Sequence, residues 1–73
     1  MPGLQFSPAA LRRIRQDKKV SQHAVAERLG VLHTTISKYE RGRCRPSAPA
    51  LMELAEALGV QPTAFMTRGA DAA

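Results

Sequence analysis

Serine and glycine residues divide this chain of 73 residues into segments of the length of short helices. Three serines precede amphipathic stretches, where a side-chain oxygen accepts a backbone N–H and caps the start of a helix. Three glycines follow such stretches, where a residue that tolerates left-handed geometry ends a helix. These residues are Ser7, Ser21, Ser47, Gly30, Gly42 and Gly59. Their spacing predicts a bundle of short helices.

Each predicted helix has an approximate span. The first covers residues 8–18, with Pro8 in its first turn, and the second covers 22–29. A short turn leads to a third helix over about 33–41, a fourth follows Ser47, and "PTAFM" predicts a short fifth. We therefore expect an all-α fold with one domain at residues 1–66 and a flexible C-terminal tail at 67–73. A chain of this size buries only about 60% of its unfolded surface, so its core is small.

Charge is unevenly distributed along the chain. Residues 12–45 hold ten Lys and Arg and three acidic residues, whereas residues 46–73 hold one Arg and three acidic residues. A basic region beside a mildly acidic one is typical of a surface that binds a polyanion. Solubility alone is the simpler explanation of the same charge.

The predicted third helix has two contrasting sides. A helical wheel at 100° per residue groups Leu32, Ile36 and Tyr39 on an inner stripe. The opposite side is formed by His33, Thr34, Ser37, Lys38 and Arg41. That outer side offers hydrogen-bonding groups and cations and no carboxylate. Two short helices joined by a tight turn, the second with such a face, match the physical description of a helix-turn-helix.

The segments "SQHAVAERLGV", "TTISKYERGRCRPS" and "LMELAEALGV" resemble the Cro/C1-type (XRE family) helix-turn-helix domain. The resemblance covers roughly residues 8–66. It implies a compact five-helix lambda-repressor-like fold and a transcriptional regulator that binds a palindromic DNA operator as a dimer. The acidic surface of helices 4 and 5 lies outside the expected DNA face, so it is the expected homodimer surface.

The resemblance also implies roles for individual residues. Those expected to face base edges are His33, Thr34, Ser37 and Lys38, and for Lys38 a phosphate is the alternative partner. Those expected near phosphates are Gln22, Arg43 and Arg45, and position on the same face adds Arg41. Thr35 is expected to bond either its own backbone or a phosphate. Arg15 and Glu40 are expected to form an ion pair that ties the first helix to the third.

Leu32 departs from the family pattern, which commonly has Ser or Thr at this position. A leucine cannot cap a helix, and replacing a good cap by an apolar residue costs on the order of 1 kcal/mol. We expect either a looser start to the third helix or recruitment of Leu32 into packing.

Other classes of function have less support in the sequence. There is no set of nucleophile, base and orienting group, so an enzyme is not expected, and neither is a cofactor. The spacing of His23, His33 and Cys44 matches no common metal site, so no metal is expected. A single cysteine and the lack of a long apolar run favour a cytoplasmic protein. The alternative function is an antitoxin or restriction-system controller that acts mainly through a protein partner.

Overall fold

The computed structural model describes residues 3–68 of the chain. In chain order the elements are strand β1 (Leu4–Phe6), the helices α1 (Pro8–Asp17), α2 (Gln22–Leu29), α3 (His33–Glu40) and α4 (Ala48–Leu58), a 3-10 helix (Pro62–Phe65) and strand β2 (Met66–Arg68). Helix α2 packs against both α3 and α4, while α1 contacts α3 and the 3-10 helix. No helix within this range is long and apolar enough to cross a membrane.

The three serine caps predicted from the sequence are confirmed. The hydroxyl of Ser7 accepts the N–H of the residue three positions on at 3.1 Å, that of Ser21 does so at 3.0 Å, and that of Ser47 at 3.2 Å. Glycine ends α2 and α4, at Gly30 with φ 72° and at Gly59 with φ 68°. Both angles lie in the left-handed region, which glycine adopts without a Cβ clash. Local capping therefore sets most helix ends.

The prediction of five helices in an all-α fold is wrong in two respects. Residues 3–68 form four α-helices, and the segment expected to be a fifth is a 3-10 helix of four residues. A segment this short closes only i to i+3 hydrogen bonds, which is typical of 3-10 helices. The structure also has a two-stranded antiparallel sheet, in which Phe6 pairs with Met66 and Leu4 with Arg68.

The second strand also bears on the predicted C-terminal tail. The boundary placed after residue 66 falls inside β2, where Thr67 pairs with Gln5. Residues 67 and 68 therefore belong to the folded unit. The rest of the predicted tail, residues 69–73, lies outside the described residues, so its flexibility stays a prediction.

The core is assembled from one large side chain of each helical segment. The fully buried side chains are Leu11 of α1, Val25 of α2, Ile36 of α3, Leu54 of α4 and Phe65 of the 3-10 helix. Burying an aliphatic or aromatic side chain of this kind contributes roughly 1.5–3 kcal/mol. Each helix is therefore fixed to the others through a shared centre, and the outer faces of the helices remain available for other contacts.

Candidate nucleic-acid interface

Helix α3 is anchored on one side and open on the other. Ile36 is fully buried, and Tyr39 is half-buried against the core. On the outer side His33, Thr34 and Lys38 are exposed, and Ser37 is half-buried. The four residues expected to face base edges thus lie on one surface, as the helical wheel predicted. Thr35 is half-buried at its margin, and its N–H donates to the carbonyl of Leu32.

The start of α3 differs from the wheel in one respect. Leu32 is the residue that precedes the first turn, and its side chain is 74% exposed rather than on the inner stripe. Its backbone is extended, with φ −73° and ψ 148°, which directs its side chain away from the helix face that Ile36 occupies. No side chain caps the helix at this end. The placement of Leu32 on the inner stripe is therefore wrong.

The end of α3 is held by an ion pair with α1. The Nε of Arg15 donates to Oε2 of Glu40, and its Nη2 donates to Oε1 of Glu40 at 3.0 Å. This two-pronged geometry is the strong form of an arginine–carboxylate contact. The Glu40 side chain is only 4% exposed and that of Arg15 13% exposed. The structure thus brings together the two residues that the resemblance paired.

Arg15 also secures the turn between α1 and α2. Its Nη1 donates to the carbonyl of Val20 at 2.9 Å. The hydrogen bond to Glu40 raises the pKa of Arg15, against a lowering by burial, and the charge of Glu40 raises it further. Arg15 therefore stays protonated, and one side chain fixes α1, the following turn and α3 at the same time.

Gln22 belongs to the same hydrogen-bond network as Arg15 and Glu40, so its side chain is not free at the surface. Its Nε2 donates to Oε1 of Glu40 at 3.1 Å, and the residue is half-buried. The side-chain amide for which the resemblance implied a phosphate partner is therefore bonded to a carboxylate in this structure. The phosphate role of Gln22 stays a prediction, and it requires the second amide hydrogen or a change of partner on binding.

A notch beside this network collects further polar groups. Arg12 and Gln16 of α1 line it together with Ser37 of α3 and Arg41. Arg12 and Gln16 were not predicted to belong to the site, because only the packing of α1 on α3 places them there. The notch extends the basic surface of α3 onto α1. Arg43 and Arg45 are exposed in the loop that follows α3.

His33 has a neighbour that the sequence did not predict. Its ring stacks on that of His23, with the ring centroids 4.1 Å apart and the planes inclined by 16°. His23 is the second residue of α2 and His33 the first of α3. The contact joins the amino-terminal ends of the two helices. The signal in the sequence was the motif itself, since a helix-turn-helix brings its two helices together.

The surface of α4 has a different character. Arg28 of α2 donates from Nη1 to the carbonyl of Ala57 at 2.8 Å, which ties α2 to α4. Glu53 and Glu56 line the same cleft as Arg28, and Met52 is 64% exposed on the helix. This side combines carboxylates with an exposed apolar side chain, in contrast to the basic surface of α3.

Comparison with known proteins agrees with this architecture. The family model described as a helix-turn-helix domain matches residues 9–65. The chain belongs to this family, and the resemblance to Cro/C1-type domains is confirmed.

Individual relatives fall in the same class. The HTH-type transcriptional regulator y4aM of Sinorhizobium fredii is 40% identical over 57 residues, which cover 74% of this chain and 40% of that protein. The chain therefore spans less than half the length of this relative. The DNA-binding domain of the P22 C2 repressor matches with a TM-score of 0.78 at 30% identity, covering 84% of this chain and 80% of that one. The restriction-modification controller protein C.AhdI of Aeromonas hydrophila matches with a TM-score of 0.76 at 29% identity. The match covers 80% of this chain and 88% of that one.

Proposed function

We propose that this protein is a transcriptional regulator that binds specific sequences of double-stranded DNA by inserting α3 into the major groove. One observation carries the proposal. Glu40 is the single carboxylate of α3, and its side chain is 4% exposed and paired with Arg15. The exposed face of α3 is therefore free of negative charge and carries Lys38. The major groove is wide enough to admit one α-helix, and the similarity to the P22 C2 repressor domain supports this use of the face.

The outer residues of α3 divide into two roles. Lys38 has the reach to donate to the O6 and N7 atoms of guanine, and this is the contact that specifies a base. His33, Thr34 and Ser37 are the other residues proposed to meet base edges. Exposed arginines beside the helix attract phosphates and fix its register: Arg41, Arg43 and Arg45. Thr35 and Gln22 are proposed to contact phosphates at the margin.

We further propose that two copies bind a palindromic operator. One recognition helix meets only a few base pairs, whereas two copies related by a two-fold axis read half-sites about 34 Å apart. The proposed dimer surface is formed by α4 and the 3-10 helix. Its support is the exposed Met52 beside Glu53 and Glu56, a surface unlike the basic face of α3.

Selection of bound duplexes from a random pool tests the proposal. The expected result is a pair of inverted half-sites whose centres are about one helical turn apart, roughly 10 base pairs. Affinity for the selected site should fall with salt, with a log–log slope of about −0.9 for each phosphate neutralised. Enrichment of no sequence over the starting pool would contradict sequence-specific binding, and enrichment of a single half-site would contradict the dimer.

The second candidate function is binding to a protein partner. The observation that supports it is the structural similarity to the controller protein C.AhdI. An antitoxin or restriction-system controller acting mainly through a partner would use the α4 surface. A gel-shift assay with random duplex DNA at low salt separates the two functions. Retardation of the duplex supports DNA binding, and its absence supports the protein partner.

A further inference from the structure

The stacked histidines lie at a position where two helices begin. His23 follows the first residue of α2, and His33 opens α3, so their contact bridges the two elements of the helix-turn-helix. Both residues are exposed, so neither ring is needed to fill the core. Two flat side chains from different helices lie nearly parallel, with ring centroids 4.1 Å apart and planes inclined by 16°, so the rings are stacked. The contact fixes His33, the first of the proposed base-facing residues.

The geometry of the pair favours stacking over metal chelation. The lone pairs of an imidazole lie in the plane of its ring, so two rings inclined by only 16° direct them along parallel planes. Such lone pairs do not converge on one ion. Within residues 3–68 there is also no group of three or more His, Cys, Asp or Glu side chains that could hold a metal.

We propose that His23 is a positioning residue for DNA recognition: it stacks on His33 and holds that imidazole where, once protonated, it donates to an acceptor atom of the duplex. The inference rests on the proposed function, because it requires duplex DNA against α3. Histidine is the side chain whose charge ordinarily changes between pH 5 and 8. A protonated imidazole carries a positive charge and donates from both ring nitrogens, so if DNA binds that form better, binding strengthens as the pH falls.

The charged groups around the pair do not provide this dependence. On α2, Glu27 lies one turn after His23, and Arg28 is directed to the carbonyl of Ala57 on α4. On α3, Lys38 lies further along the outer face, and Glu40 is bonded to Arg15 of α1. Carboxylates, ammonium groups and guanidinium groups ordinarily keep their charge between pH 6 and 8.

Affinity for duplex DNA at pH 6 and pH 8, at one fixed salt concentration, tests the proposal with the whole chain. Two duplexes serve as probes: the site selected from the random pool and a scrambled duplex of equal length. Uptake of one proton strengthens binding by at most about tenfold per pH unit, and only over part of this interval, so we expect the wild type to bind the selected site roughly three- to tenfold more tightly at pH 6. An equal ratio on both duplexes assigns the acceptor to a phosphate, and a larger ratio on the selected site assigns it to a base.

Three variants separate positioning from other effects. His33→Ala removes the proposed donor and should reduce the pH ratio to under about twofold. His23→Ala should do the same although His33 is intact, whereas His23→Phe keeps a flat ring for stacking and should restore the ratio. Glu27→Gln is the matched control, because it alters an exposed residue of α2 one turn after His23 that is not proposed to contact DNA, and it should leave the ratio unchanged. Ring-to-ring nuclear Overhauser contacts between His23 and His33 check the stack in the free protein.

The outcomes distinguish the two proposals. If the wild type binds neither duplex at either pH, the proposed function fails and this inference falls with it. If the wild type binds and its affinity is equal at both pH values, the inference alone is wrong. The inference is also overturned if His23→Ala keeps the full pH ratio, or if His23→Phe behaves like His23→Ala.

Discussion

Helices α3 and α4 are built in opposite ways. Helix α4 has 11 residues, begins at the capping Ser47, ends at a left-handed Gly59 and buries three side chains in the core. Helix α3 has 8 residues and buries Ile36 alone. Leu32 precedes it at the capping position, where no side chain caps the helix. Isolated helices shorter than about 12–15 residues are marginal in water, so both helices depend on their neighbours, and α3 has fewer buried side chains with which to hold them.

The difference shows that a helix exposed for binding contributes fewer side chains to the core. A helix that presents most of its surface to a partner has few side chains left for the core. Two contacts outside the helix compensate here: α1 holds Glu40 through Arg15, and α2 meets the start of α3 through His23. The proposed recognition surface is thus positioned by residues that lie outside it.

Truncating a buried side chain of α4 should have the largest effect on the free energy of unfolding. Leu54 is fully buried, so Leu54→Ala should lower the free energy of unfolding by about 2–5 kcal/mol through lost transfer energy and a cavity. Met52→Ala, an exposed position on the same helix, should change stability by no more than about 0.5 kcal/mol. Denaturant unfolding measures both. Equal effects of the two substitutions would contradict the assigned burial of α4.

Breaking the ion pair should come next. Glu40→Gln keeps the side-chain shape but removes the charged partner of Arg15, and we expect a loss of about 1.5–3 kcal/mol. Glu27→Gln, at an exposed position of α2, is the control and should cost under about 0.5 kcal/mol. DNA affinity should fall for Glu40→Gln only, since α3 loses its support. An unchanged stability for Glu40→Gln would show that α3 does not need this pair.

The contribution of Arg15 should not depend on pH in the usual working range. Its folded pKa is raised by the hydrogen bond to Glu40. A raised pKa stabilises the fold at every pH below the value for the unfolded chain, and this stability is lost only as the pH rises through the folded value. The difference in the free energy of unfolding between wild type and Arg15→Met should therefore be the same at pH 7 and at pH 9. Denaturant unfolding of both proteins at the two pH values checks this.

Removing the cation from α3 should affect binding and not folding. Lys38→Ala should weaken operator binding by about 1–3 kcal/mol and alter the preferred base at one position of each half-site. Its free energy of unfolding should stay within about 0.5 kcal/mol of wild type, because the side chain is exposed. Weakening by the same factor on every sequence would reduce Lys38 to a phosphate contact.

Supplying the missing cap should have the smallest effect and the opposite sign. Leu32→Ser should stabilise the protein by about 0.5–1 kcal/mol, because a hydroxyl then accepts an N–H at the start of α3. Ser21→Ala removes the existing cap of α2 and should cost a similar amount, about 1 kcal/mol. Thermal unfolding compares the two. A loss of stability in Leu32→Ser would mean that Leu32 contributes packing despite its exposure.

The parts of the fold that the sequence predicted are those with local causes. Each serine cap involves a backbone N–H three residues away, and the inward position of Ile36 follows from helical periodicity. The strand pair was missed because Phe6 and Met66 are far apart in sequence and each strand has three residues, too few for a periodic signal. Leu32 was misplaced because the wheel treated it as helical, whereas its backbone is extended.

The same distinction applies to the candidate site. The outer face of α3 follows from the sequence of that helix alone. The bond from Gln22 to Glu40 and the stack of His23 on His33 depend on how α2 sits against α3, which residue spacing does not specify. Arg12 and Gln16 joined the site for the same reason, through the packing of α1.

Mapping of backbone amide chemical shifts during titration with a duplex that carries a single half-site, to which one copy binds, tests the orientation of the protein on DNA most directly. We expect the largest changes at residues 33–38 and at the start of α2, with little change at Met52 and Glu53 on α4. Changes centred on α4, with the amides of α3 unmoved, would contradict the assignment of α3 as the helix that enters the major groove.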